Sequence, residues 1–432
     1  MVNTARVLIG SLHPSLSEQV LIRGWIYRLR ELAKTTFIVL KDCSGEIQCV
    51  ADSAYTRALS LKLDEPVEIK GWVKPDSRSR SGFEIEVSDI CVLNRVSHFL
   101  PFNSSSDISE IGIDTILAYR PLSLRNPSVG DIFRIQAAIV HYFRQFLWEK
   151  HFTEIVTSKI VSSGTEGGTN LFEIKYFERS AYLAQSPQFY KEQGVAGLER
   201  VFETGHVYRA EPHASSRHLT EYYSLDLELG FIEHLEEVIQ LEKELLTYIF
   251  EMLNENYADI IKRYRTQLLP KMIDVPIWEF QECLERLNKS CGRTDLVDDL
   301  DPEAERQLCQ LAESETGISA LFVIGFPLSA RPFYTYPRDK NGASQSFDLL
   351  FEGLEVTTGG QRLHKREDLE QALRQRAIDP VCFENHLQMF DMGMPPHGGL
   401  AIGLERLTAR ILNLPNIKQA TLYPRDRYRI SP

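Results

Sequence analysis

Over the first hundred residues, apolar and polar side chains alternate in five short runs: 20–30 (VLIRGWIYRLR), 35–45 (TTFIVLKDCSG), 46–52 (EIQCVAD), 66–74 (PVEIKGWVK) and 82–93 (GFEIEVSDICVL). A period of two predicts strands, and turn residues at Ser44-Gly45 and near Ser81-Gly82 separate them. In the last run Phe83, Ile85 and Val87 share one face while Glu84 and Glu86 share the other, the pattern of a half-buried antiparallel strand. By the same count Gln48 lies on the polar face with Glu46. Residues 1–102 are therefore expected to form a small five-stranded β barrel. From 103 to 130 the chain turns Ser-rich and then Pro-punctuated (NSSSDISE, YRPLSLRNPS), which predicts a hinge with little periodic structure.

Beyond the hinge the period changes. Asp131 is placed to cap a helix whose Ile132, Ile135, Ile139, Tyr142, Phe143 and Phe146 form one stripe. A second helix follows from Leu235, Val238, Ile239, Leu245, Leu246, Ile249 and Leu253, and reads as scaffold. Between them, residues 200–231 read as two strands around a polar turn, with Val201, Phe202 and Val207 before it and Tyr223, Leu225, Leu227 and Leu229 after it. The segment 264–325 is charged and irregular and has no assignable chemistry. These elements make an α+β chain with a barrel at one end.

Composition adds limits. A chain of 432 residues, 43% apolar, forms two or three domains with proper cores. No stretch of about 18 uncharged apolar residues occurs, and the opening MVNTARVLIGSLHPS is too broken for a signal peptide, so no membrane partner and a cytoplasmic location are expected. Seven cysteines without paired metal-ligand spacing are expected to be reduced packing residues. The net charge of -12 argues against nonspecific nucleic-acid binding by the whole surface. Residues 1–100 carry 13 Lys and Arg against 12 Asp and Glu, a balance of +1, which leaves -13 for the remainder. The barrel is the less acidic part, as a polynucleotide-facing module would be.

The polar turn gathers Arg209, Glu211, Arg217 and His218 within ten residues. A guanidinium pairs bidentately with phosphate or carboxylate, so two arginines across a loop can grip two parts of one polyanion. An arbitrary hairpin of this kind is more often a solvated ion-pair surface. What changes that reading is the whole stretch FETGHVYRAE...SRHLTEYYSLDLELGF (motif 2, about 200–231), which resembles motif 2 of class II aminoacyl-tRNA synthetases in the form carried by the aspartyl and asparaginyl branch. HGGLAIGLERLTARIL (about 397–412) resembles motif 3, and HFTEIVTSKIVSS (about 151–163) resembles motif 1, with Ser158 where the family carries proline. SSGTEGGTNLF with QSPQFYKE, and SFDLLFEGLEVTTGGQR, resemble the archaeal-type aspartyl enzyme, an asparaginyl one having Gly in place of Pro187.

The resemblance implies an N-terminal OB-fold anticodon-binding domain (1–102), a hinge (103–130) and a catalytic domain on an antiparallel sheet flanked by helices (131–432), assembled as a homodimer. It implies ATP and Mg2+, L-aspartate, and tRNA-Asp or both tRNA-Asp and tRNA-Asn. Arg209 would bridge the α-phosphate and the substrate carboxylate, Arg217 and Arg406 the γ-phosphate end of a bent ATP, and Glu211 the adenine amino group, with Tyr222 stacking on the base. His218, Leu219, Gly403, Leu404 and Glu405 complete the ATP set. Glu355 and Thr358 would hold the magnesium, with Arg209, Arg406 and Glu355 catalytic. Aspartate would meet Arg362 and Lys191 at its side chain and Glu166 at its ammonium, with Gln188 between and Thr358 and Arg209 alongside. An amide in place of that carboxylate is expected to leave Arg362 unpaired and be rejected. On the barrel, Trp25, Tyr27, Phe37 and Gln48 are aromatic or amide groups suited to single-stranded bases, Phe37 and Gln48 by family match for the central anticodon base. Tyr27 and Arg80 stand where relatives set strict or relaxed tRNA choice. An asparaginyl-tRNA synthetase, or a paralogue that activates aspartate without charging tRNA, are the competing readings.

Overall fold

The computed structural model describes residues 5–16, 18–164, 171–212, 215–339 and 342–431. Two compact units divide the chain, residues 1–127 and 128–432.

In the first unit β1 (Gln19–Glu31), β2 (Thr35–Lys41), β3 (Glu46–Asp52), β4 (Pro66–Pro75) and β5 (Phe83–Val92) close as a barrel in the order β1-β2-β3-β5-β4. The five expected strands are present, and their inward residues, among them Ile22, Ile38, Leu40, Val67 and Ile85, are fully buried. Asp52 ends β3 and caps α1 (Ser53–Leu59), its carboxylate accepting from Ala54 N and Tyr55 N at 2.8 and 3.1 Å. Between Ile26 and Arg28 the β1–β2 register slips; Ile26 packs in the barrel core, and the next residue, Tyr27, is buried as well, beside Lys41 and Arg28. The stretch expected to be an aperiodic hinge carries α2 (Ile113–Ala118) and α3 (Arg120–Ser123), which bury Ile116, Leu117 and Leu122. α4 (Pro127–Glu149) then starts at a proline, whose fixed φ suits a first helical position. Asp131 therefore lies inside α4, not at its cap, where it is buried and pairs with Arg263 and with Arg134 at 3.2 Å.

The second unit is built on an eight-stranded sheet in the order β12-β13-β14-β15-β16-β11-β10-β6. In chain order its strands and their smaller companions are β6 (Thr153–Glu154), β7 (Ile160–Val161), β8 (Glu173–Tyr176), β9 (Arg179–Leu183), β10 (Arg200–Tyr208), β11 (Glu221–Gly230), β12 (Ile277–Glu279), β13 (Ala320–Ile324), β14 (Ser346–Phe351), β15 (Leu354–Gln361) and β16 (His397–Gly403). β10 to β13 across the middle is antiparallel, and only the edge strands β6 and β12 pair in parallel. β7, β9 and β8 form a separate three-stranded sheet. α5 (Gln188–Leu198) leads into β10, and α6 (Leu235–Asn256) and the short α7 (Ala258–Ile261) follow β11. The stripes predicted for α4 and α6 are both buried, in one core with Leu225, Leu227, Leu400 and Ile402 of the sheet. The 264–325 segment is regular after all. α8 (Phe280–Cys291) and α9 (Pro302–Thr316) bury Phe280, Cys283, Leu287, Leu308 and Cys309 against β13, under solvent faces charged enough to hide the periodicity. α10 (Arg366–Gln375) and α11 (Glu384–Phe390) precede β16, and α12 (Leu404–Ile411) follows it.

Ser158 is exposed, and its flanks are tied to β10 by Glu203, which accepts from Thr157 N at 3.0 Å and pairs with Lys159 at 2.8 Å. All seven cysteines are free; Cys49, Cys283 and Cys309 pack inside, whereas Cys43, Cys91, Cys291 and Cys382 are exposed, so packing accounts for three of them. Among the described residues no helix is long and apolar enough to cross a membrane.

Candidate active site

The site face of the sheet follows from alternation. On β11, Leu225, Leu227 and Leu229 point to the core and leave Ser224, Asp226 and Glu228 together on the opposite face, all buried. Directly across on β16 stand Gly403, Ala401 and Gly399, all small. The next strand contributes Thr358 opposite Ala401 and Gly360 opposite Gly399. Small residues in adjacent strands make a trough, and the polar row of β11 forms one wall. At Gly399 the absence of a side chain is required, because a Cβ there would collide with Leu227 O and the Glu228 carboxylate.

At one end of the trough lies a cavity of about 90 Å3. Its walls include Arg209, Glu211, Arg217, His218, Leu219, Tyr222, Glu355, Thr358, Gly403, Glu405 and Arg406. The Arg209 guanidinium sits 5.5 Å from the Tyr222 ring centre. Arg406 donates to Glu355 O at 3.0 Å and lies 3.3 Å from its carboxylate. Leu404, expected here, points instead into the core. Glu405 lines the wall, but both its oxygens accept from Tyr223 N at 3.1 Å, which ties α12 to β11. Arg217 is held by Glu305 of α9 and by Gly353 O at 3.3 Å, and its Nη1 is buried with no partner among the described residues. Glu305 could not have been found from the sequence, since it lies in the segment that carried no readable pattern.

Half-buried Glu355 and buried Asp348 form an acidic pair around Thr358, whose hydroxyl donates to Glu355 at 2.9 Å. Burial opposes ionisation of Glu355, but Arg406, the Thr358 hydroxyl, Arg331 and Arg209 outweigh it and hold the carboxyl below its ordinary range. Asp348 is bidentate to Arg331 at 3.0 and 2.7 Å, yet burial and the Glu355 charge push it up to about 6. Neither Asp348 nor Arg331 was singled out in the sequence, although Asp348 is the one charged residue in the run SFDLLF.

Further along the trough, Gln188, Lys191 and Arg362 converge on Glu228. Arg362 Nε donates to Glu228 at 2.9 Å and Nη2 to Gly399 O at 3.0 Å, leaving Nη1 without a hydrogen bond among the described residues. Lys191 Nζ lies 2.9 Å from Asp226 and 3.4 Å from Glu228. These cations already have anionic partners. The expectation that an amide substrate would leave Arg362 unpaired is therefore corrected: Glu228 keeps it paired, and Nη1 is the donor that remains. Asp226 and Glu228 were missed, though the alternation that exposed the leucines also placed them. Glu166 lies outside the described residues.

On the barrel, Phe37 and Gln48 line one groove with Arg28, Arg30 and Val39, and Gln48 donates to Glu84 at 2.8 Å. Tyr27 does not join them; it is buried, with Lys41 Nζ 4.8 Å from its ring centre. Trp25 lies under Arg125, 4.9 Å away, and Arg80 is exposed in the β4–β5 turn.

A closed five-stranded barrel and an antiparallel sheet with a cation-rich cavity define a two-part enzyme. The chain belongs to the class II tRNA synthetases (D, K and N), whose family model matches residues 112–427, and an OB-fold nucleic acid binding domain matches residues 20–93. Aspartate–tRNA(Asp/Asn) ligase of Thermus thermophilus is 40% identical over 428 residues, covering 99% of this chain and 100% of that protein. Aspartate–tRNA(Asp) ligase of Pyrobaculum aerophilum is 36% identical, covering 96% of each. Among solved structures, asparaginyl-tRNA synthetase of Pyrococcus horikoshii complexed with asparaginyl-adenylate superposes with a TM-score of 0.91 at 29% identity, over 100% of both chains.

Proposed function

We propose that this chain is an aspartate–tRNA ligase, which joins L-aspartate to the α-phosphate of ATP and passes the aspartyl group to the 3′ end of tRNA-Asp. The observation that carries the reading is the continuity of one trough from the arginine-lined cavity to the buried Gln188–Lys191–Arg362 cluster. Such a trough suits a nucleotide at one end and a small anionic amino acid at the other. The nucleophile is a carboxylate, ionised well below pH 7, so no general base is needed. Rate must come from alignment and from neutralising charge as phosphorus becomes five-coordinate. Arg209, in the cavity wall beside Tyr222, bridges the reacting carboxylate and α-phosphate; Arg217 Nη1 and Arg406 take the far phosphates. Glu211 faces the adenine amino group, beside Tyr222, which supplies the stacking face. At the other end Arg362 Nη1 is the donor for the aspartate side chain, beside Lys191.

Class II synthetases use ATP as a substrate, and the residues here fit a magnesium ion with it. Asp348, Glu355 and Thr358 offer hard oxygen donors; burial first, and then the Glu355 charge, raises Asp348, and a divalent cation would relieve the repulsion between the two carboxylates. When bound, the ion would draw charge from the phosphates.

Phe37 and Gln48 are the proposed anticodon contacts, in the groove with Arg28 and Arg30. Buried Tyr27 gives no support to strict tRNA choice, and relatives at 39–40% identity bear names that include both tRNAs. A wide groove lined by Phe133, Val140, Tyr223, Leu422 and Tyr423 supports a homodimer, and the reading places the enzyme in the cytoplasm. Attachment of aspartate to tRNA-Asp and tRNA-Asn transcripts, side by side with asparagine as control, tests the function. Labelling by asparagine instead would favour an asparaginyl enzyme, and exchange of ATP with pyrophosphate without any charging would leave the paralogue.

A further inference from the structure

Behind the amino-acid cluster lies a second pair that no step above uses. Glu192 of α5 is fully buried, and its Oε1 accepts from Gln188 Nε2 at 2.8 Å. Its other oxygen lies 2.9 Å from His386 Nε2 on α11, a close contact without hydrogen-bond geometry. The His386 ring is itself buried, stacked on Phe189 at 4.2 Å and edge-on to Phe390 at 5.2 Å. A carboxylate buried in a protein interior is strongly disfavoured unless it is paired, so this one needs its partners. Burial opposes its ionisation, but His386, His397 and Gln188 together hold it below the ordinary carboxylate range.

The consequence falls on Gln188. Its amide nitrogen has two hydrogens, and both face carboxylates: Glu192 at 2.8 Å and Glu228 at 3.4 Å. With the nitrogen held there, the amide oxygen is turned the other way and makes no hydrogen bond among the described residues. An amide held in this sense offers an acceptor, which suits an ammonium; the same amide rotated by half a turn would offer donors and repel it.

We propose that Glu192 and His386 are a positioning pair which fixes the Gln188 amide so that its oxygen receives the ammonium of aspartate. Neither residue touches the substrate; His386 orients Glu192, and Glu192 orients Gln188. This rests on the reading of the chain as an aspartate-activating enzyme.

The test is aspartate-dependent ATP–pyrophosphate exchange by the full chain, with the fold of each variant checked by thermal melting. Glu192→Ala is expected to raise the KM for aspartate about tenfold or more, with kcat and the KM for ATP changed by less than about twofold. Glu192→Gln keeps an acceptor for the Gln188 amide and should recover most of that loss. Gln188→Ala should raise the same KM, and the double variant Glu192→Ala/Gln188→Ala should be no worse than Gln188→Ala alone, because two residues acting through one contact are not additive. If Glu192→Ala does not fold, His386→Phe gives the milder form of the same result. Additive losses in the double variant, or a KM for ATP that rises in step, would overturn the pair's role while leaving the activity assigned. Absence of aspartate-dependent exchange in the wild type would overturn both.

Discussion

Arg406 has one partner it can spare. It spans from Glu355 O to the Glu355 carboxylate, and a phosphate can compete for its guanidinium. Arg406→Ala should lower kcat for exchange by about 10^2 to 10^3, the usual loss for one preorganised donor at developing charge, whereas Arg406→Lys recovers only part because the fork is lost. Glu242 tests another side of the same sheet. It is wholly buried on α6, and burial pushes its carboxyl up to about 8, with the Thr357 hydroxyl working against that and the Asp348 charge adding to it. A carboxyl raised on folding keeps a proton that the unfolded chain has already lost. Its contribution is therefore present at acid pH and is lost as pH rises from the unfolded value of 4.5 to about 8. Glu242→Gln should flatten the fall in melting temperature over that window, and an unchanged slope would assign the fall elsewhere. At this scale the sequence was legible where residues are neighbours in chain: Arg209, Glu211, Arg217 and His218 do meet around one cavity. It was illegible where partners come from afar, as with Glu305, 88 positions from Arg217.

At the scale of elements, the two neighbouring strands β11 and β16 make the site by opposing a polar row to a row of small residues. Gly399→Ala should therefore disturb both strand pairing and the Glu228 carboxylate, and is expected to lower aspartate activation more than Gly112→Ala ahead of α2, where φ is -58° and a Cβ meets nothing within 4 Å. Phe143, fully buried in α4, should cost about 3–5 kcal/mol on replacement by Ala, read as a lower midpoint in denaturant, with little change in activity per folded molecule. The strands and the two amphipathic helices were readable because their periods are long and unbroken. The burial of Tyr27 was not readable, because it sits at a register slip that leaves composition unaltered. Asp131 was misjudged because Pro127 starts the helix earlier than the apolar stripe does. α8 and α9 escaped notice because short apolar faces are diluted by many charges.

On the scale of the whole molecule, the groove with Phe133, Val140 and Tyr423 leads to a mass of twice 49.5 kDa in sedimentation, and a single-chain mass at micromolar concentration would remove the homodimer. The division into a barrel and a sheet-based unit was legible because turn residues, period and charge balance all change near the same place. The central claim, that this trough activates aspartate, is tested most directly by ATP–pyrophosphate exchange with the purified chain, comparing aspartate with asparagine. Exchange is expected to depend on aspartate, with asparagine the poorer substrate because its amide meets Lys191 and Arg362 Nη1 without a charge to pair with them. Exchange supported equally by asparagine, or by neither amino acid, would contradict it.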